Sequence, residues 1–148
     1  SGIHAQYLKQ LDPEITVFAK ACPLFVPLVE EGWLHDPLTM EVARRYLEEL
    51  KEKDIDTLIL GCTHYPLLRS LIGTVMGPQV RLVNPAYETA IGLRGLLEEH
   101  GLRREHAEPE EFPYRFFVSD LAEKFQSFAN SILPYNVKMT QKVDIEKY

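Results

Sequence analysis

Short apolar runs and longer amphipathic stretches alternate along the whole chain. Runs of apolar residues predict strands, and stretches with apolar positions three or four apart predict helices. The predicted strands cover residues 15–19, 56–60, 80–83, 114–118 and 136–143. The predicted helices cover 24–31, a stretch starting after Asp36 with Pro37 in its first position, 67–75, 86–100 and 120–131. Alternation of this kind predicts an α/β fold with a mostly parallel sheet sandwiched by helices.

The segment from Asp56 to Leu60 is the clearest predicted strand. It has no polar alternation, which is typical of a parallel strand covered on both faces. Gly61 ends the run, and Thr63 is a suitable N-cap for the helix that follows. Cys62 is therefore predicted at the carboxyl end of a strand and beside a helix N-terminus, where parallel sheets bind ligands and N–H groups attract carboxylates.

A thiol in that position predicts acid–base or nucleophilic chemistry. A helix N-terminus and a neighbouring imidazolium both favour the thiolate, which is the reactive form. Packing is the alternative, because free cysteines are among the most buried residues. A plain N-cap for Thr63 and an ordinary core or surface role for His64 are the corresponding alternatives. Gly61, Thr63 and His64 around the thiol favour a functional site.

Two segments carry a family resemblance. Gly61-Cys62-Thr63-His64-Tyr65-Pro66-Leu67-Leu68 closely resembles the second catalytic motif of bacterial glutamate racemases, in the aspartate/glutamate racemase superfamily. Residues 21–33, which read Ala-Cys-Pro-Leu-Phe-Val-Pro-Leu-Val-Glu-Glu-Gly-Trp, resemble another block of that family. The family's Asp-Ser-Gly-x-Gly-Gly and Ala-Cys-Asn-Thr segments do not occur in these residues. The resemblance therefore implies the C-terminal part of a glutamate racemase and an incomplete two-domain racemase fold.

The resemblance also implies a domain arrangement. Residues 1–100 would form part of the second racemase domain and carry the Gly-Cys-Thr-His motif. Residues 101–113 are rich in glutamate, nearly lack apolar side chains and read as an acidic connection. Residues 114–148 would complete the first domain.

The chemistry that the resemblance implies is cofactor-independent interconversion of L- and D-glutamate by two thiols on opposite faces of the α-carbon. It would supply D-glutamate for peptidoglycan. Cys62 provides one thiol, and the isolated chain is expected to be inactive. The implied catalytic residues are Cys62, His64 and Glu30, with Thr63 and His64 binding substrate. Glu31 remains an alternative to Glu30, and Cys22 is interpreted as a buried thiol or a loop residue rather than as a catalyst.

Charge and cysteine content exclude several classes of binding partner. Sixteen basic residues against 22 acidic ones give a net charge of -6, which argues against binding to nucleic acid or to an anionic membrane. Two cysteines with 39 residues between them suggest reduced thiols in the cytoplasm. No metal site is predicted, because the paired ligand spacing of zinc sites is missing. Related racemases, such as one for aspartate, and a non-catalytic carboxylate-binding or interaction module remain alternatives.

One apolar face has no predicted partner within the chain. In the resembled family, its residues would pack against a part of the first domain that is not in this sequence. We therefore expect it either to drive self-association into a homo-oligomer or to leave the C-terminal tail loosely packed. The face consists of Tyr114, Phe116, Phe117, Leu121, Phe125, Phe128 and Ile132.

Overall fold

A computed structural model describes residues 2–104, 114–134, 136–138 and 140–147. The chain divides into two compact units, residues 1–93 and 94–148. The helices are α1 (Ile3–Leu11), α2 (Phe25–Glu30), α3 (Pro37–Lys51), α4 (Arg69–Met76), α5 (Pro85–Glu99) and α6 (Ala122–Ile132). The strands are β1 (Thr57–Ile59), β2 (Arg81–Val83), β3 (Phe116–Val118) and β4 (Thr140–Lys142). Two 3-10 turns cover Tyr65–Leu68 and Ile145–Lys147.

The first unit is built around a parallel pair of strands. Thr57 lies opposite Arg81 and Ile59 opposite Val83, and the chain crosses between the strands through the first 3-10 turn and α4. Leu60 continues the pairing by donating its N–H to the carbonyl of Val83 at 3.0 Å. This connection brings the carboxyl end of β1 directly to the Gly-Cys-Thr-His segment.

The core of the first unit is formed mainly by α2, α3 and α4. Its most deeply buried side chains are Phe25, Val29, Thr39, Ala43, Leu68, Ile72 and Met76. Thr39 is the polar member, and its hydroxyl is satisfied by donating to the carbonyl of Trp33 at 2.7 Å. The predicted start of α3 is confirmed, because the carboxylate of Asp36 accepts a hydrogen bond from the N–H of Leu38 at 2.7 Å and Pro37 follows.

The second unit contains another parallel pair. Phe116 lies opposite Thr140 and Val118 opposite Lys142. The helix α6 packs on this pair: Gln126 donates to the carbonyl of Val137 at 2.7 Å, and Asn130 accepts from the N–H of the same residue at 2.6 Å. Of the predicted acidic connection at 101–113, residues 105–113 lie outside the described residues.

The α/β prediction is confirmed, with every described strand pair parallel and the strands grouped in two separate pairs. The predicted strand at residues 15–19 is wrong. These residues have no regular structure, and the side chains of Ile15 and Phe18 are exposed. An apolar run becomes a strand only where another strand pairs with it, and the described residues supply none here. No helix in the described part of the chain is long and apolar enough to cross a membrane.

Candidate active site

Cys62 lies where β1 gives way to a tight turn. The N–H of Gly61 donates to the carbonyl of Ile59 at 3.0 Å, and the N–H of Cys62 donates to that of Leu60 at 2.8 Å. Leu60 is buried, whereas Cys62 is a half-buried free thiol. The buried strand end therefore fixes the backbone while the Cys62 residue stays partly exposed.

The helix start predicted beside Cys62 is different in the structure. The 3-10 turn begins at Tyr65 with His64 in the N-cap position, and α4 follows only at Arg69. The N–H of Leu67 donates to the carbonyl of His64 at 3.0 Å, which makes the first turn tight. The expectation that Thr63 caps a helix is wrong, because this turn has no side-chain cap. The Thr63 hydroxyl contacts the neighbouring imidazole instead.

Thr63, His64 and Glu30 form a chain of polar contacts. The hydroxyl of Thr63 and Nδ1 of His64 are 3.2 Å apart, and Nε2 of His64 is 3.4 Å from Oε1 of Glu30. The imidazole side chain is 25% exposed and the carboxylate 41%. One ring nitrogen therefore faces a hydroxyl and the other faces an acid, an arrangement that fixes the orientation of the ring.

Glu30 reaches this position because it is the last residue of α2. Phe25 and Val29 anchor that helix in the core with exposures of 1% each. Glu31 is the residue after the helix, and its N–H is bound to the carbonyl of Pro27 at 2.9 Å. Between the two acidic residues that the sequence left open, the structure brings Glu30 to His64.

Cys22 has the properties of a structural thiol. It is 4% exposed, and burial raises the pKa of its thiol to about 11. Its sulfur lies 3.9 Å from the carbonyl of Lys20. A thiol with this pKa is almost entirely protonated at neutral pH and is a poor base or nucleophile. The interpretation of Cys22 as a buried thiol is confirmed.

An aromatic cluster beneath the site was not predicted from the sequence. The ring of Phe25 makes edge-to-face contacts with Tyr46 at 5.5 Å and with Tyr65 at 5.3 Å between centroids. The Tyr65 hydroxyl donates to the carbonyl of Cys22 at 3.1 Å. The three rings come from separate segments, so neither periodicity nor spacing reveals them. The only sequence feature that pointed to this cluster was the position of Tyr65 directly after His64.

Comparisons with known proteins agree in sequence and in structure. No protein-family model matches the chain. The glutamate racemase of Thermoanaerobacter sp. strain X514 is 43% identical over 149 residues, which cover 100% of this chain and 55% of that protein. A glutamate racemase isoform from Bacillus anthracis matches with a TM-score of 0.86 and 33% identity, over 97% of this chain and 53% of its own.

A third relative was solved with a ligand. The glutamate racemase of Francisella tularensis, in complex with D-glutamate, matches with a TM-score of 0.85 and 33% identity, over 98% of this chain and 53% of its own. The chain thus spans about half the length of the relatives it matches and corresponds to their C-terminal part. Over that length, sequence and fold together show that the chain belongs to the glutamate racemase family.

Proposed function

We propose that this chain supplies one catalytic face of a cofactor-independent glutamate racemase, with Cys62 as its acid–base group. The observation that carries the proposal is the half-buried Cys62 at the end of β1, followed directly by the polar chain of Thr63, His64 and Glu30. The Francisella relative, which is described in complex with D-glutamate, supports glutamate as the substrate.

In the proposed reaction, the Cys62 thiolate takes the α-proton from one enantiomer. The Cα–H bond breaks, an S–H bond forms, and the electron pair stays on the substrate. A second thiol on the opposite face gives its proton to the α-carbon, so the configuration inverts with no net oxidation. Cys22 does not suit that second role because it is buried. The family resemblance places the second thiol in an Ala-Cys-Asn-Thr segment, which these residues do not contain.

The neighbouring side chains suit the charge changes of this reaction. Negative charge develops on the substrate carboxylate when the α-proton leaves, and positioned donors stabilise it. We assign Thr63 and His64 to substrate binding. We also assign to His64 the control of the protonation state of the Cys62 thiol. Glu30 would orient the imidazole through their 3.4 Å contact. The proposed product, D-glutamate, would serve peptidoglycan synthesis in the cytoplasm.

A chimera tests the proposed function. In it, this chain replaces the matching residues of the Thermoanaerobacter relative, and exchange of the glutamate α-hydrogen is followed by NMR in D2O. We expect exchange and racemisation of both enantiomers by the chimera, and neither by the isolated 148-residue chain. A folded chimera that binds glutamate without exchanging its α-hydrogen would favour a non-catalytic carboxylate-binding module. Faster exchange of aspartate would reassign the substrate.

We further propose that the isolated chain self-associates through exposed members of the apolar face of its C-terminal segment, Phe117 and Leu121. Phe116 and Phe125 of the same face pack on each other, with 5.8 Å between their ring centroids. Phe117 is 57% exposed and Leu121 is 64% exposed, and burying the exposed part of each contributes about 1–2 kcal/mol before the cost of association. Light scattering should show a mass above that of one chain. Phe117→Lys should lower this mass, whereas Ile3→Lys, at a similarly exposed position in the other unit, should not. A compact monomer at high concentration would contradict the proposal.

A further inference from the structure

We propose that Tyr65 is a positioning residue that holds His64 at its working distance from Glu30, an inference that rests on the proposed racemase function. Tyr65 directly follows His64 in the chain, and it is tied to the segment from which α2 begins. No part of the family resemblance assigned it a role.

Tyr65 is linked to the start of α2 through one carbonyl group, that of Cys22. The carbonyl oxygen of Cys22 accepts a hydrogen bond from the N–H of Phe25, which forms the turn into α2, and another from the Tyr65 hydroxyl. Both distances are 3.1 Å. A carbonyl oxygen has two lone pairs, so the two donors do not compete. The start of α2 and the start of the 3-10 turn therefore share one acceptor.

Ring packing reinforces this hydrogen bond. The Tyr65 ring meets Phe25, the first residue of α2, edge to face at an interplanar angle of 88°. Phe25 is 1% exposed, so it is a fixed surface for the tyrosine. A tyrosine hydroxyl, with an ordinary pKa of about 10, is a hydrogen-bond donor at neutral pH, and burial raises the pKa of Tyr65 further.

The geometry links this anchor to the candidate site. The helix α2 has six residues and is about 9 Å long, with the Cys22 carbonyl before its first turn and Glu30 at its end. Tyr65 holds the start of this short helix, and the residue before Tyr65 meets the end of it. Two contacts thus connect the His64-Tyr65 segment to α2. The Tyr65 hydroxyl binds at the start of the helix, and His64 contacts Glu30 at its end.

Tyr65→Phe removes the hydroxyl and keeps the ring, and Tyr46→Phe is its matched control. Tyr46 packs against the same Phe25 ring, and its hydroxyl accepts from the N–H of Leu24 at 3.3 Å, also at the start of α2. It is not adjacent to His64. In the racemase chimera, we expect Tyr65→Phe to lower kcat about tenfold, because misplaced catalytic groups lose rate steeply. Tyr46→Phe should change kcat less than about twofold.

A double-mutant cycle separates positioning from packing. If Tyr65 acts through Glu30, adding Tyr65→Phe to Glu30→Gln should lower kcat by no more than about twofold beyond Glu30→Gln alone. Additive losses, or equal losses from the Tyr65 and Tyr46 variants, would overturn the proposal. Thermal unfolding of each variant shows whether a lost activity reflects lost structure.

The imidazole resonances of His64 give a readout that does not require racemisation. In the isolated chain, Tyr65→Phe and Glu30→Gln should both shift the His64 ring signals, while Tyr46→Phe should leave them in place. Unchanged His64 signals in Tyr65→Phe would refute the positioning role even if the chimera is active. Shifted signals together with an inactive wild-type chimera would confirm the positioning contact and reject the racemase function.

Discussion

Cys62→Ser in the chimera is expected to lower glutamate racemisation by about 10²- to 10⁴-fold, the range that a positioned acid–base group contributes. The loss should appear for at least one enantiomer as failure to exchange the α-hydrogen in D2O. A serine hydroxyl keeps the size and position of the thiol, but it is a far weaker base near neutral pH. Substrate binding should survive, because Thr63 and His64 remain.

Cys22→Ser is the matched control for this substitution. The Cys22 thiol is 4% exposed and its pKa is about 11, so it carries little thiolate in the working pH range. We expect this variant to keep most of its activity per folded molecule. Some loss of stability is expected, because a hydroxyl replaces a buried sulfur.

Alkylation measures the difference in reactivity between the Cys62 and Cys22 thiols without relying on racemisation. In the native chain at neutral pH, iodoacetamide should modify Cys62 and spare Cys22, and in urea the two should react alike. Cys22 should become reactive only as the pH approaches its raised pKa or as the chain unfolds. An inert Cys62 in the native chain, or full racemisation by Cys62→Ser, would end the proposed mechanism.

The sequence predicted the elements whose signals are local. The apolar run before Gly61 needed no knowledge of its neighbour to be identified as a strand, and β1 lies within it. Asp36 followed by Pro37 marked the start of α3 in the same way. The predicted strand at 15–19 failed because strand formation depends on a pairing edge elsewhere, which a single apolar run does not reveal.

The candidate site was predictable in part for the same reason. The Gly-Cys-Thr-His string showed where the thiol would lie, since a strand end and a turn are local features. The 3.4 Å approach of Glu30 to His64 depends on how α2 packs, and the sequence alone favoured Glu30 only by family resemblance. The hydrogen bond from the Tyr65 hydroxyl to the Cys22 carbonyl joins residues 43 positions apart, and no sequence pattern predicts it.

Phe25→Ala is expected to destabilise the first unit by about 3–5 kcal/mol, the usual cost of removing a buried phenylalanine side chain. Phe25 is 1% exposed and is the shared partner of Tyr46 and Tyr65. Its loss leaves a cavity and removes two edge-to-face contacts, each worth about 0.5–1.5 kcal/mol beyond the area buried. Because folded domains are stable by only about 5–15 kcal/mol, this unit should be largely unfolded in mild urea.

Trp33 is the single tryptophan of the chain and lies in the first unit, so its fluorescence in a urea titration follows the unfolding of that unit alone. Its backbone N–H donates to the carbonyl of Leu28 in α2 at 2.9 Å, so Trp33 lies next to the helix that Phe25 begins and its fluorescence should report unfolding there. Phe18→Ala is the control: that side chain is 44% exposed, and its truncation should change the urea midpoint little. Equal midpoints for the two variants would show that the aromatic cluster does not anchor α2, and Glu30 would then need another support to stay within reach of His64.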